Sequence, residues 1–170
     1  MGVNSIKVPL VLPAFSDTKN MGHVFMFELH YKRNIHNVFY AECDLGSTIM
    51  QEMKRVTSIL YRLNPIWEML KGDFTLYGSY QSYKAMDIAS AGLGIAIALY
   101  NLARKLNGSI AVTNLVGTGL IRIDGLVEYV DGIESKAKAV FKHYGLYNKL
   151  VTAREIPHLL EIDRKLTRFV

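Results

Sequence analysis

One stretch of the chain, residues 90–106, is apolar on every face that a helix would present. A helix of this kind has to be enclosed by other secondary structure, because it has no polar face to turn toward water. The one long apolar run of the chain, residues 88–103, is about 16 residues long, whereas a membrane-spanning helix needs about 20. The stretch therefore predicts a buried core helix with further elements packed around it, and no membrane partner is expected.

The composition is that of a folded domain. The chain has 170 residues, of which 50% are hydrophobic and 21% are charged, and these fractions allow a substantial core and exclude a disordered chain. The length predicts a single domain over residues 1–170. The 20 basic and 15 acidic residues give a net charge of +5. Because the cations are scattered along the chain, no nucleic-acid partner is expected.

Cysteine and proline positions bear on the compartment. Cys43 is the only cysteine, which excludes an intramolecular disulfide and a cysteine-based metal site and fits a reducing compartment. Pro9 and Pro13 interrupt the apolar N-terminal run before a cleavable signal could form. The sequence predicts a cytoplasmic protein without a signal peptide or a transmembrane helix.

The first half of the chain alternates strand and helix signals. Residues 22–32 and 38–44 are rich in aromatic and β-branched side chains and predict an antiparallel pair. Thr48 and Gln51 have the spacing of a capping box at the start of a helix. That helix has an apolar face made of Ile49, Met53, Val56, Leu60 and Leu63, and Asn64-Pro65 ends it. Gly72-Asp73 predicts a turn before a strand over residues 74–80.

The second half is similar. Strands are expected over residues 110–113, 119–124 and 126–130, with a turn at Asp124-Gly125, and a helix over residues 133–144 ends at Gly145. A short strand at residues 150–151 and a partly helical tail from Glu155 follow. Strands and helices alternate without βαβ regularity, so we expect an α+β (mixed α/β) fold in which short sheets pack with buried helices.

Lys136 interrupts an apolar stripe of the expected helix 133–144, made of Ile133, Ala137, Val140, Phe141 and Tyr144. One interpretation is that the side chain snorkels and carries its ammonium out to water. The other is that it lies in a poorly solvated place. Desolvation would then lower the lysine pKa from its usual value of about 10.4 and leave a neutral amine that can act as a base.

Ser90 lies at the expected start of the apolar helix, where a serine is usually only an N-cap. Its small neighbours Ala89, Ala91 and Gly92 would also let a substrate backbone come close. Free backbone N–H groups at a helix start favour negative charge and suit the oxyanion of an attacked carbonyl. A serine nucleophile needs a base, and lysine can replace histidine in that role. The five histidines form no recognisable pattern with a serine, and neither a metal nor a cofactor is expected.

The segment from Ser90 to Lys136 resembles the proteolytic domain of Lon-family peptidases, whose serine lies in a PSAG-type motif at a helix start. That motif is Ala89-Ser90-Ala91-Gly92 here. A second block, residues 117–136 (GTGLIRIDGLVEYVDGIESK), is similar to the family's pattern of G-T-G, an acidic-glycine turn, a valine, and G-I two residues before a lysine. Residues 45–52 resemble more weakly the start of the family's long helix. The resemblance is particularly strong to bacterial stand-alone or membrane-tethered Lon-like proteins.

This resemblance implies Ser90 as the nucleophile and Lys136 as the general base of a Ser-Lys dyad. It also implies that Thr118 positions the lysine, that Asp87 has a supporting role, and that the backbone of Ala89, Ala91 and Gly92 serves the oxyanion and the substrate. A P-loop motif is absent from the sequence, so the expected activity is that of an ATP-independent serine endopeptidase. Its substrates would be flexible or unfolded polypeptide segments or precursor junctions, and homo-oligomers are common in the family.

Two other functions stay open. Family members usually have Asp-Gly-Pro before the serine, whereas Ile88-Ala89 follow Asp87 here, and Asp131 stands where the family often has glycine. These differences suggest a catalytically inactive Lon-like module for peptide binding or assembly.

The start of the apolar helix, Gly92-Leu93-Gly94, also has glycines that could cradle a phosphate, as in a small-molecule kinase.

Overall fold

The main sheet is built on a long antiparallel hairpin. In the computed structural model, which describes residues 5–16, 21–34, 36–41, 44–78, 88–112, 114–142 and 149–169, strand β1 (Ile6–Ser16) pairs with β2 (Met21–Arg33) along its whole length. Strand β4 (Gly72–Tyr77) pairs antiparallel with β2, and β3 (Phe39–Ala41) pairs parallel with β4. The strand order is β1-β2-β4-β3.

Helices cover this sheet. Helix α1 (Asp44–Leu63) is followed by a 3-10 helix (Pro65–Leu70), and a 3-10 turn (Ile88–Ala91) leads into α2 (Gly92–Leu106). Residues 92–102 of α2 are all buried, and the helix packs on β1, α1 and β5 (Leu115–Gly117). The expectation of a central core helix is confirmed. Within the described residues, no helix has the length and apolar character needed to cross a membrane.

The C-terminal part adds small sheets and short helices. Strand β5 pairs parallel with β8 (Lys149–Val151), and β6 (Leu120–Ile121) pairs antiparallel with β7 (Val127–Glu128). Helix α3 (Ile133–Lys142) packs on β2, β1 and β8. The tail forms a 3-10 helix (Leu159–Glu161), α4 (Ile162–Leu166) and a last 3-10 turn (Thr167–Phe169). The fold is therefore mixed α+β, as the sequence predicted.

The expected pairing of the first two strands is wrong. Strand β2 pairs with β1 and β4, and β3 lies on the far side of β4. Strand β1 was missed because Pro9 and Pro13 argue against a strand. Pro9 and Pro13 are four residues apart, so both lack an N–H group on the same side of β1. Strand β1 is at the edge of the sheet, where one side has no strand partner and proline is tolerated.

Two expectations about α1 and β4 also need correction. Thr48 is inside α1, one turn after its start, so it forms no capping box there, although Ile49, Met53, Val56 and Leu60 are buried as expected. Gly72-Asp73 begins β4 and is not a turn. A Cβ at Gly72 would lie 2.5 Å from the carbonyl oxygen of Lys32, so the glycine allows close strand approach. The Asp73 carboxylate accepts hydrogen bonds from Asn34 and from the Val38 N–H.

The predicted strand at residues 110–113 is not formed over residues 110–112, and residue 113 is outside the described ranges. The buried side chain of Asn101 takes the place of a partner strand. Its amide donates to the Val112 carbonyl at 2.8 Å, and its oxygen accepts from the Val112 N–H at 2.7 Å. Within the predicted strands 119–124 and 126–130, only the two-residue segments β6 and β7 form strands. Strand β5 was not predicted.

Candidate active site

Ser90 is part of the 3-10 turn that enters α2 and is 2% exposed. The N-cap of α2 is Ala91, so the interpretation of Ser90 as an ordinary N-cap is wrong. The Ser90 carbonyl accepts a hydrogen bond from the Gly119 N–H at 3.0 Å, and the Gly119 carbonyl accepts one from the Leu93 N–H at 3.1 Å. These two bonds fix the turn that carries Ser90 to the segment between β5 and β6.

Glycines make this close approach possible. A Cβ at Gly92 would lie 2.8 Å from Cγ1 of Ile121, and a Cβ at Gly119 would lie 2.8 Å from Cγ1 of Val127. Real Cβ atoms essentially never make contacts under 3.0 Å. Gly92 and Gly119 therefore let the start of α2 pack directly against β6 and β7.

Thr118 is completely buried and lies directly after β5. Its N–H donates to the carbonyl of Val151 in β8 at 2.9 Å, which fixes its backbone. Its hydroxyl oxygen Oγ1 lies 3.5 Å from the Ser90 carbonyl oxygen, at the long limit for a hydrogen bond. The same Oγ1 accepts a hydrogen bond from Lys136 Nζ at 3.1 Å.

Lys136 is 2% exposed, so the interpretation of a snorkelling side chain is wrong. The buried face of α3 consists of Lys136, Ala139 and Val140, whereas Phe141 is 74% exposed. The predicted apolar stripe was wrong at Ala137 and Phe141, which are exposed. Helix α3 instead packs the face with Lys136, Ala139 and Val140 against β1, β2 and β8. Tyr144 and Gly145 fall outside the described residues.

Gly22 in β2 brings α3 close to the sheet. A Cβ at Gly22 would overlap the Ser135 carbonyl oxygen and would lie 3.1 Å from the Lys136 backbone nitrogen. The first turn of α3 follows Gly132, whose φ is +75°, and the Lys136 N–H donates to the Gly132 carbonyl at 2.9 Å. Sequence reasoning did not single out Gly22, although an isolated glycine in a strand often marks close backbone approach.

The structure thus brings together Ser90, Thr118 and Lys136, which are far apart in the chain. The Lys136 amine contacts the Thr118 hydroxyl, and that hydroxyl reaches the backbone of Ser90. All three residues are buried. Burial disfavours a charged ammonium unless it is well solvated by protein groups, and the Thr118 hydroxyl is one such group.

The other predicted site residues line the same helix start. Ala91 and Gly92 are buried at the N-terminus of α2, and Ala89 is in the preceding 3-10 turn. The Ala91 cap supplies no side-chain hydrogen bond, and the first turn of α2 carries no acidic residue. The positive end of the helix dipole is therefore not neutralised from within this turn. Asp87 is outside the described residues.

Glu52 was not singled out as a site residue. A Cβ at Gly92 would lie 3.4 Å from its carboxylate oxygen Oε1, and the two carboxylate oxygens accept hydrogen bonds from Arg55 at 2.5 and 3.0 Å. Sequence alone gave no signal for this contact, because it joins α1 to α2.

Over the described residues, no group of three or more histidine, cysteine and acidic side chains is arranged to hold a metal ion.

The chain matches no protein-family model, and no curated protein matches it either.

Proposed function

We propose that this protein is an ATP-independent serine endopeptidase of Lon-like fold in which Ser90 and Lys136 form a catalytic dyad. The observation that carries the proposal is the hydrogen bond from the buried Lys136 amine to the buried Thr118 hydroxyl, next to the turn that holds Ser90. Burial of a lysine lowers the stability of the fold, because its charge has to be desolvated. A buried lysine is therefore easier to explain where it has a function. Buried ionisable groups that meet a potential nucleophile are typical of functional sites.

The chemistry follows from a neutral Lys136 amine. Such an amine has two N–H groups and one lone pair, and donation to Thr118 leaves the lone pair for another proton. Lys136 accepts the proton of the Ser90 hydroxyl while the serine oxygen attacks a peptide carbonyl carbon. The tetrahedral intermediate then expels the amine of the leaving segment, which takes the proton from the Lys136 ammonium. A water molecule, activated by the same amine, hydrolyses the acyl-enzyme.

Stabilisation of the oxyanion falls to the start of α2. Backbone N–H groups at a helix N-terminus favour negative charge, and a preorganised oxyanion hole contributes about 10²–10³-fold to rate. Ala89, Ala91 and Gly92 supply the backbone there without bulky side chains. Thr118 acts as a positioning residue, since its hydroxyl orients the amine of Lys136 and fixes one of the amine's hydrogens.

Flexible or unfolded polypeptide segments, or precursor junctions, are the substrates that suit this chemistry. A scissile peptide bond has to fit between the serine and the helix start in an extended form, and a folded region cannot do so without local unfolding.

One observation favours the inactive peptide-binding or assembly module. Ser90 is only 2% exposed, and a nucleophile has to be reached by its substrate. A serine that stays enclosed would serve packing alone. The two functions differ in whether the Ser90 hydroxyl has enhanced reactivity.

Cleavage of an unfolded polypeptide by the purified chain and by Ser90→Ala tests the proposal. We expect cleavage by the parent protein and a loss of about 10³-fold or more in the variant. Ser109→Ala, which removes an exposed serine that follows α2, is the matched control and should cleave normally. Equal cleavage by the parent and by Ser90→Ala would contradict the proposal, and so would cleavage by neither when both are folded.

A further inference from the structure

A cationic groove runs along α1 beside the candidate active site. It has a volume of about 540 Å³, and its lining includes Lys54, Arg55, Ser58 and Arg62 together with the apolar side chains of Ile59 and Ile123. Lys54, Ser58 and Arg62 follow one another at intervals of four residues and so share one helix face. Within the described part of the chain, neither Lys54 nor Arg62 forms an ion pair with a carboxylate.

Two of the cations in the groove, Arg62 and Arg55, are held by hydrogen bonds. The Arg62 guanidinium donates to the Ile123 carbonyl at 2.5 Å, a neutral acceptor that leaves its positive charge uncompensated. Arg55 pairs with Glu52, whose side chain is 11% exposed. Three cations thus face one carboxylate, and the groove keeps a net positive charge.

Glu52 links the groove to the start of α2, because its carboxylate contacts both Arg55 and the Gly92 position. The carboxylate oxygen that binds Arg55 is the same Oε1 that lies 3.4 Å from the Cβ position of Gly92, two residues after Ser90. At the other wall, Ile123 follows β6, and Ile121 of that strand contacts the same Gly92 position. A polypeptide bound at Ser90 could therefore continue into the groove.

We infer that this groove binds an acidic segment of the polypeptide substrate, a few residues to one side of the bond that Ser90 attacks. This inference rests on the proposed function for its place in catalysis. From Lys54 to Arg62 the helix rises about 12 Å, which corresponds to about four residues of extended chain. Aspartate or glutamate side chains complement Lys54 and Arg62, while the exposed Ile123 contacts the apolar parts of the segment.

A nucleic acid fits the lining less well. The described residues that line the groove include no aromatic side chain on which a base could stack. A peptide needs only the cations and the apolar wall that are present.

Peptide binding to the Ser90→Ala protein tests the inference without requiring catalysis. Two fluorescent peptides are compared by anisotropy at low salt, one with glutamates on a flank and one with glutamines at the same positions. We expect the glutamate peptide to bind more tightly, and Lys54→Gln/Arg62→Gln to weaken its binding about three- to tenfold. The difference should shrink as salt is added.

The matched control is Lys32→Gln/Arg168→Gln, which removes two exposed cations elsewhere and leaves the net charge equal to that of the groove variant. Equal binding of the two peptides, or an equal loss in both double variants, would overturn the inference. Tighter binding of single-stranded DNA or RNA than of the glutamate peptide, abolished by the groove variant, would replace it with a nucleic-acid site. Failure of the proposed function appears separately, as the lack of Ser90-dependent cleavage by the parent protein.

Discussion

The amine of Lys136 lies 3.1 Å from the hydroxyl oxygen of Thr118, and both residues are buried. This contact joins α3 to the end of β5 and directs a lysine side chain into the protein. The 3-10 turn that carries Ser90 and leads into α2 is bonded to the same segment through Gly119. The Lys136 amine, the Thr118 hydroxyl and Ser90 are thereby held by three different elements.

Replacement of Lys136 by methionine keeps most of the side-chain volume and removes the amine that we propose as the base. We expect kcat/KM on an unfolded polypeptide to fall by about 10²–10⁴-fold, the usual contribution of general acid-base catalysis. Stability should change little or rise, because an apolar side chain replaces a buried polar one. Lys138→Met, which removes an exposed lysine of α3, is the control and should retain activity. Unaltered activity in Lys136→Met would rule out Lys136 as the base.

Thr118→Val removes the hydroxyl and preserves the shape of the side chain. We expect kcat to fall about 10–100-fold with little change in KM, since the Lys136 amine loses its orienting partner. Thr118→Ser retains the hydroxyl and should recover most of the rate. If valine and serine reduce kcat equally, the hydroxyl does not position the amine, and the effect is one of packing.

Gly22→Ala tests whether the approach of α3 to β2 places Lys136. The new Cβ would overlap the Ser135 carbonyl, so we expect a loss of about 1–3 kcal/mol in the free energy of unfolding. Activity in the folded fraction should also fall, because α3 has to move. Gly108→Ala is a useful comparison: its φ of +74° makes alanine strained, but nothing lies within 4 Å of its Cβ position. It should lower stability without lowering the activity of the folded protein.

The pH dependence of activity reports on the base. If Lys136 acts as a neutral amine, kcat/KM should rise with pH as this group loses its proton. Stopped assays between about pH 5 and about pH 10, with a check that the protein stays folded, measure the profile. A flat profile across that range would count against Lys136 as the base.

Alkaline unfolding provides a test of the core. Burial raises the pKa of Tyr61 to about 12, from the usual 10.0. The folded state therefore favours the protonated phenol, and this contribution is complete below about pH 10 and is lost as pH rises toward 12. In urea titrations the parent should lose stability more steeply than Tyr61→Phe above about pH 10. Parallel losses in the two proteins would show that Tyr61 does not titrate in the folded state as inferred.

Local patterns predicted the helices best. The apolar face of α1 follows from the periodicity of its side chains, the burial of α2 from its apolar character on every face, and the end of α1 from Asn64-Pro65, and all are present in the structure. Ser90, Thr118 and Lys136 were predicted as site residues, Thr118 only through the resemblance to Lon-family peptidases, and the structure brings the three together. The burial of Lys136 could not be derived from the predicted apolar stripe. Phe141 belongs to that stripe and is exposed, so membership of the stripe does not predict burial.

Features that depend on contacts between distant segments were not predictable. The pairing of β3 with β4, the replacement of a strand partner by the Asn101 side chain, and the approach of Glu52 to Gly92 each join residues far apart in sequence. Single-sequence patterns specify which face of an element is apolar. They carry little information about which element that face will meet.

Covalent labelling of Ser90 is the most direct test of the proposed dyad. The protein is incubated with a fluorophosphonate, digested, and the modified serine is located by mass spectrometry. We expect modification at Ser90 in the parent, strong reduction in Lys136→Met, and no comparable modification at the exposed Ser58. An unmodified Ser90 in the folded parent protein, or equal labelling with and without the Lys136 amine, would contradict the assignment of a Ser-Lys peptidase.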